Sequence, residues 1–240
     1  MANIGFTTGS LYQSTIPFDE RIKLYRSLGA DAIELSFATP TELFAYRLSE
    51  QAIKDIKNFK FVSIHAPSDE VKYGANPATQ KIIERLRFLC DKLPIAGIVL
   101  HPDVIDDFEI LDQSGLPFLL ENMDRRKSYG THPKQFQELK RKYGFGFVLD
   151  LEHAYEQDSS MQLAREFIDV MGDRLKHLHV SGCNESEIHV PACCAVNKDA
   201  ISKILKLNIN VPKILEGVLL KNVQDSIISE LNYIRNFERN

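Results

Sequence analysis

Cysteine is scarce. The chain has four in 240 residues, Cys90, Cys183, Cys193 and Cys194, with no Cys-x-x-Cys pair. That spacing excludes a disulfide framework and a thiolate zinc ribbon, and it makes a reducing cytoplasm the expected compartment. No segment is apolar over the roughly 20 residues that a membrane span needs. The opening residues Met1 to Thr7 also lack the basic region of a leader, so neither anchoring nor export is expected. Positive charge is not in excess: 29 Lys and Arg stand against 33 Asp and Glu, a net charge of −4. The chain as a whole therefore offers no general attraction to nucleic acid or to an anionic membrane. No glycine-rich phosphate loop follows the first strand pattern, since Gly5 and Gly9 do not make one, and this disfavours an open dinucleotide-binding sheet. Low-complexity linkers and internal repeats are missing too.

What is present is an ordinary globular balance of 44% apolar and 26% charged residues, in a length that suits one barrel. Apolar runs at 3–7, 32–37, 61–65, 97–100, 117–120, 146–149, 175–181 and 213–219 predict strands. Helical patterns alternate with them at 18–28, 49–57, 77–90, 104–111, 133–143, 159–171, 198–207 and 223–237. Eight strand-helix units with apolar strands point to a parallel sheet, and a single-domain (β/α)8 TIM barrel over 1–240 is the expected fold.

The strands end in a pattern of their own. Phe147-Val148-Leu149-Asp150-Leu151-Glu152-His153 passes from an apolar run into a carboxylate, with an imidazole in the loop just beyond. The same transition occurs at Glu34, His65, His101, Glu121, His179 and Glu216. In a closed barrel all strand C-termini meet on one face, so these seven side chains converge on one cavity. So much charge in one place calls for cations, and mixed imidazole and carboxylate donors suit Zn, Mn, Fe or Co. His177, two residues from His179, is expected to support it from behind, and His132 to lie in a surface loop. Cys183, Cys193 and Cys194 are near enough in sequence to add a thiolate, although buried packing is the plainer reading.

In the order His65-Ala66-Pro67, His101-Pro102, Leu120-Glu121-Asn122, Asp150-Leu151-Glu152-His153-Ala154, His177-Leu178-His179, Glu187-Ile188-His189 and Glu216, the chain resembles the xylose-isomerase-like barrel superfamily. That superfamily holds sugar and sugar-phosphate isomerases and epimerases together with the endonuclease IV family. The resemblance implies a central divalent metal on Glu121, Asp150, His179 and Glu216. His65 and His101 match ligands of a second ion with Glu121 bridging, and His153, Glu187 and His189 match a third. In the isomerase branch several of these positions contact substrate instead. Two departures stand out: Glu187 replaces the usual Asp of Asp-x-His, and Ala192-Cys193-Cys194-Ala195 follows where glycines are common.

The leading expectation is thus an isomerase or epimerase of a small sugar or sugar phosphate that uses one divalent ion, Zn, Mn or Co, with up to three allowed by the ligand set. The resemblance implies proton transfer through a metal-bound enediolate, with Glu121 and Glu216 as the paired acid and base. Glu34, Arg125 and Arg126 are candidates for substrate or phosphate contact, against a barrel-mouth salt bridge for Glu34 and a solvated loop for the two arginines. The alternative is an endonuclease IV-like Zn-dependent phosphodiesterase acting on abasic DNA, the only reading with a nucleic-acid partner. A metal-bearing module without turnover is a third reading. Self-association is left open by the helix patterns.

Overall fold

Short apolar runs rich in Ile, Leu, Val and Phe form eight strands: β1 (Ile4–Thr7), β2 (Ala32–Ser36), β3 (Phe61–His65), β4 (Gly97–Leu100), β5 (Phe118–Glu121), β6 (Gly146–Asp150), β7 (Leu175–Val180) and β8 (Lys213–Leu215). The computed structural model describes residues 2–220 and 222–238. All neighbours pair in parallel and in chain order, and β8 pairs back to β1, so the sheet closes as expected into a barrel. Among the described residues ten α-helices surround it: α1 (Phe18–Ser27), α2 (Pro40–Ala45), α3 (Glu50–Ile56), α4 (Pro77–Lys92), α5 (Phe108–Gln113), α6 (Pro133–Lys142), α7 (Leu151–Gln157), α8 (Gln162–Met171), α9 (Lys198–Leu205) and α10 (Val223–Arg235). No helix among the described residues is long and apolar enough to cross a membrane.

Strand alternation splits the interior into two layers. Outward-facing residues such as Ile33, Leu35, Ile64, Leu120, Leu149 and Leu178 meet the helices in one large apolar core. The lumen is filled separately by Val99, Leu119 and Val148. Leu119 fits because its neighbours are glycines: a Cβ on Gly97 or Gly146 would lie 2.2 or 2.5 Å from its side chain. Above this apolar plug the inward positions turn polar, with Glu34, Ser63, His177 and His179 all buried. That layer forms the floor of the barrel mouth.

The structure departs from the sequence expectations at four places. The region expected as one helix at 104–111 is a 3-10 turn, Pro102–Val104, followed by α5, because Asp107 restarts the helix by accepting from the Glu109 and Ile110 amides. Helix α2, absent from the sequence reading, is capped by Thr39 with Pro40 in its first turn, and it buries only Leu43, too little for a periodic signal. Helix α7 occupies what looked like a loop, and His153 lies within it. Strand β8 ends at Leu215, so Glu216 follows the strand rather than lying inside it. Beyond it the chain bonds to loops, Val218 N to His189 O at 2.7 Å and Leu219 N to Ser10 O at 2.8 Å.

Candidate metal centre at the barrel mouth

Four consecutive strands, β5 to β8, deliver Glu121, Asp150, His179 and Glu216. Register sets Asp150 beside His179, and Glu121 one strand away beside Val148. Each residue offers a ligand atom, and these atoms lie within 4.8 Å of one another. His179 is the pivot: its Nδ1 is 3.1 Å from Glu121 Oε1 and 3.3 Å from Glu216 Oε1. A clamp fixes Asp150. The Asn122 amide accepts from Asp150 N at 2.6 Å and donates to Asp150 O at 3.0 Å, tying β5 to β6 beyond the last strand bond. Asp150 Oδ1 then accepts from His153 N at 2.7 Å and so caps α7.

A second group abuts the first. His65 Nε2 and His101 Nε2 face each other at 3.1 Å, and lie 3.5 and 3.4 Å from Glu121 Oε2. His153 Nδ1 is 2.9 Å from the Asn122 carbonyl and 3.6 Å from Glu121 Oε1. His189, on the loop after β7, meets His153 edge to face at a centroid distance of 5.8 Å. Together with Thr7, Gly9, Tyr12 and Ser36, these groups line a cavity of about 400 Å³ that opens on the strand C-termini.

The donor set fits a divalent cation. Glu121 Oε2 and Asp150 Oδ2 are buried without a hydrogen-bond partner, an arrangement that costs stability unless positive charge meets them. Burial opposes ionisation of Glu121, but His179, His101 and His65 outweigh it and hold the carboxyl well below its usual range. Glu216 goes the other way. Burial, reinforced by Glu121, Asp150 and Glu34 and only partly offset by His179, pushes its carboxyl well above the usual range. Burial disfavours protonated His179, yet Glu216, Glu34 and Glu121 raise its pKa well above normal. A bound cation inverts this pattern by replacing the protons.

The structure brings nine of the predicted residues together: Glu34, His65, His101, Glu121, Asp150, His153, His179, His189 and Glu216. Glu34 nevertheless holds a different place from the one expected. It lies one layer below the cavity, fully buried, where it accepts from Ser63 Oγ at 2.8 Å and faces His177 and His179 Nε2 at 3.4 and 3.3 Å. It is thus a lumen residue that does not line the cavity, and its pairing with the two histidines follows the salt-bridge reading of its sequence. Arg125 and Arg126 are exposed and do not line the cavity. Arg126 is held by Asp124, from Nε at 2.8 Å and Nη2 at 3.0 Å, and reaches Glu156 at 3.3 Å. Glu187 is exposed on its loop and joins no cluster of metal-ligand types among the described residues. The backbone turn that bonds Asn184 N to Glu187 O at 2.7 Å leaves the side chain in solvent. Sequence reasoning missed the buried Glu152, whose neighbours Asp150 and His153 drew the attention.

The Asp124–Arg126 pair carries a pH prediction. Burial raises the Asp124 pKa, but the bonds from Arg126 outweigh it and bring the group from its usual 3.8 down to about 2. A depressed carboxyl pKa stabilises the fold above the unfolded value, and that contribution fades as pH falls through the folded one. Asp124→Asn is therefore expected to flatten the loss of stability between pH 3.8 and about 2. Urea unfolding across that window checks it, and an unchanged slope would dismiss the pair.

No protein-family model matches the chain, and no curated protein matches it. Solved structures do. Endonuclease IV from Thermus thermophilus is similar with a TM-score of 0.70 at 16% identity, over 99% of this chain and 99% of that one. The 3-keto-D-glucoside 4-epimerase from E. coli gives 0.69 at 14% identity, over 98% of this chain and 100% of that one. A D-psicose 3-epimerase from Clostridium cellulolyticum, solved with D-tagatose, gives 0.63 at 17%, over 98% and 99%. At these identities the likeness is one of fold, the closed (β/α)8 barrel expected from the sequence.

Proposed function

We propose that the chain is a divalent-metal-dependent isomerase or epimerase of a small sugar or sugar phosphate. One observation carries this reading: Glu121 and Glu216 both approach the same His179 nitrogen, at 3.1 and 3.3 Å, and both line a cavity of about 400 Å³. That volume lies toward the lower end of the roughly 300–1,000 Å³ typical of small-molecule sites. Glu121, Asp150, His179 and Glu216 would hold the ion, which supplies Lewis-acid polarisation of a carbonyl and its adjacent hydroxyl. Glu216 takes the proton from the carbon beside the carbonyl on one face, and Glu121 returns one on the other. His65, His101 and His189 present imidazoles to the hydroxyl groups. The sugar epimerases among the similar structures support this reading.

The grouping of His65, His101 and Glu121 favours a second reading, an endonuclease IV-like phosphodiesterase, because it is a ready ligand set for a further ion. Gripping a duplex calls for a basic surface around the mouth. Here the net charge is −4, and Arg126, in the loop after β5, is already taken by Asp124 and Glu156. The deciding experiment incubates metal-loaded protein with ketoses and their phosphates in deuterated water and follows exchange at the carbon beside the carbonyl. Exchange into one of them is expected. Cleavage of an abasic-site oligonucleotide without any exchange would transfer the assignment to the phosphodiesterase.

A further inference from the structure

A second cleft opens beside the metal cavity, and the two share Gly9, Tyr12 and Ser36. Its volume is about 590 Å³, larger than that of the cavity itself. Side chains from β1 and its loop hold the junction in place. Ser36 N donates to Thr8 Oγ1 at 2.9 Å, and Gly9 N donates to Thr7 Oγ1 at 3.3 Å. Gly9 adds no side chain at the junction, where a Cβ would stand 3.3 Å from Ser36 Oγ. Tyr12 at the same junction is 62% exposed, so its ring has surface to offer an occupant.

The cleft combines aromatic rings with polar groups at its edges. Phe18 and Phe37 lie parallel with centroids 5.5 Å apart, and Tyr46 meets them at 4.6 and 5.5 Å. Phe37 is buried, whereas Phe18 and Tyr46 are half-buried and present surface to the cleft. Tyr46 closes α2, and its hydroxyl donates to Asp19 Oδ1 at 3.2 Å, which fixes that wall. Of the described residues lining the space only Arg21 and Glu42 are charged, with opposite signs. Arg21 donates from Nε to Ile16 O at 2.9 Å and from Nη1 to Thr8 O at 3.1 Å, and Glu42 Oε2 accepts from Ala38 N at 2.8 Å. A balanced pair gives no net attraction to a phosphate. A sugar ring suits it: the C–H bonds of its faces meet the negative faces of aromatic rings, and its hydroxyls reach donors and acceptors around the edge.

We propose that this cleft is a subsite for a second sugar ring linked to the one that reacts, so that the preferred substrate is a glycosyl-linked ketose and not a free one. The proposal rests on the reading above for the reacting ring and narrows its substrate class. Phe18, Arg21, Glu42 and Tyr46 do not line the metal cavity, so the cleft selects the substrate and leaves the chemistry to the barrel mouth.

The test is saturation-transfer NMR on Zn-loaded protein with three ketose disaccharides joined through different carbons of fructose, namely turanose, lactulose and palatinose. Fructose, fructose 6-phosphate and 4-nitrophenyl glucoside are measured beside them. Transfer to the non-reducing ring of at least one disaccharide is expected. It is read whether or not turnover occurs, so failure of the isomerase reading leaves it standing. Ala45→Trp places bulk in the cleft from an exposed position on α2, and is expected to remove that transfer and to weaken the disaccharide relative to fructose by about tenfold. In deuterium exchange the ratio of kcat/KM for the disaccharide over fructose is expected to fall by the same factor. Far-UV circular dichroism checks the fold, and Ala38→Trp, also exposed in the cleft, decides if Ala45→Trp unfolds. No transfer to any non-reducing ring overturns the subsite, and so does an unchanged signal in the folded variant. Tighter binding of fructose 6-phosphate or of the nitrophenyl glucoside than of every disaccharide overturns it as well.

Discussion

Replacing Glu216 by glutamine is expected to lower turnover of the proposed reaction by roughly 10²–10⁴-fold, the usual share of a positioned acid or base. The central metal is expected to stay. Glutamine keeps the size of the side chain and a carbonyl oxygen able to remain a ligand, but it cannot accept the proton. Glu216 is the better of the two glutamates for this comparison, because its side chain is 13% exposed toward the cavity while Glu121 is 1% exposed. Glu121 is enclosed by His65, His101, His153 and His179 at 3.5, 3.4, 3.6 and 3.1 Å, so a change there disturbs several contacts at once. An interaction made only in the transition state should depress kcat and leave KM near its starting value. Deuterium exchange and product formation are measured together with metal content. Unchanged turnover with metal retained would remove Glu216 from the chemistry.

The fold was legible because its signal is repeated eight times and every strand is covered on both faces. Convergence of the strand ends was legible for the same reason: closure alone sends Glu121, Asp150, His179 and Glu216 to one mouth. Depth was harder to read. Glu34 pairs in register with Ser63, whereas Ser36, two residues later, pairs with His65, so Glu34 lies one layer below the mouth. The alternation places Glu34 inward but says nothing of how far β2 runs on. Glu187 and Glu152 failed for opposite reasons. Glu187 had the right spacing from His189, but a local turn sends it outward. Glu152 had no motif, and α7, the helix of seven residues that carries it, is too short for a periodic pattern. The two arginines after β5 lie in a solvated loop, the other reading their sequence allowed, and an ion pair with Asp124 decides where Arg126 points.

Replacing Glu34 by alanine is expected to cost about 3–5 kcal/mol of stability, the usual penalty for removing one partner from a buried charged network. Against a typical total of about 5–15 kcal/mol this is a large fraction. The carboxylate collects the Ser63 hydroxyl at 2.8 Å and the Nε2 atoms of His179 and His177 at 3.3 and 3.4 Å, and all of these partners are themselves fully buried. Glu34→Gln should cost less, since its carbonyl still accepts. It reveals a second role. With Glu34 ionised, as its depressed pKa requires, the Nε2–H of His179 points at the carboxylate and the Nδ1 lone pair is left for the ion. A glutamine amide can instead donate to Nε2, which moves the ring proton to Nδ1 and closes it to metal. Such supporting contacts are usually worth about 10–100-fold in metal affinity. Urea unfolding of the metal-free protein measures the first effect, and competition with a chelator the second. If Glu34→Gln binds metal as wild type does, the tautomer argument is wrong. If Glu34→Ala unfolds with wild-type stability, the network beneath the mouth contributes nothing to holding the barrel together.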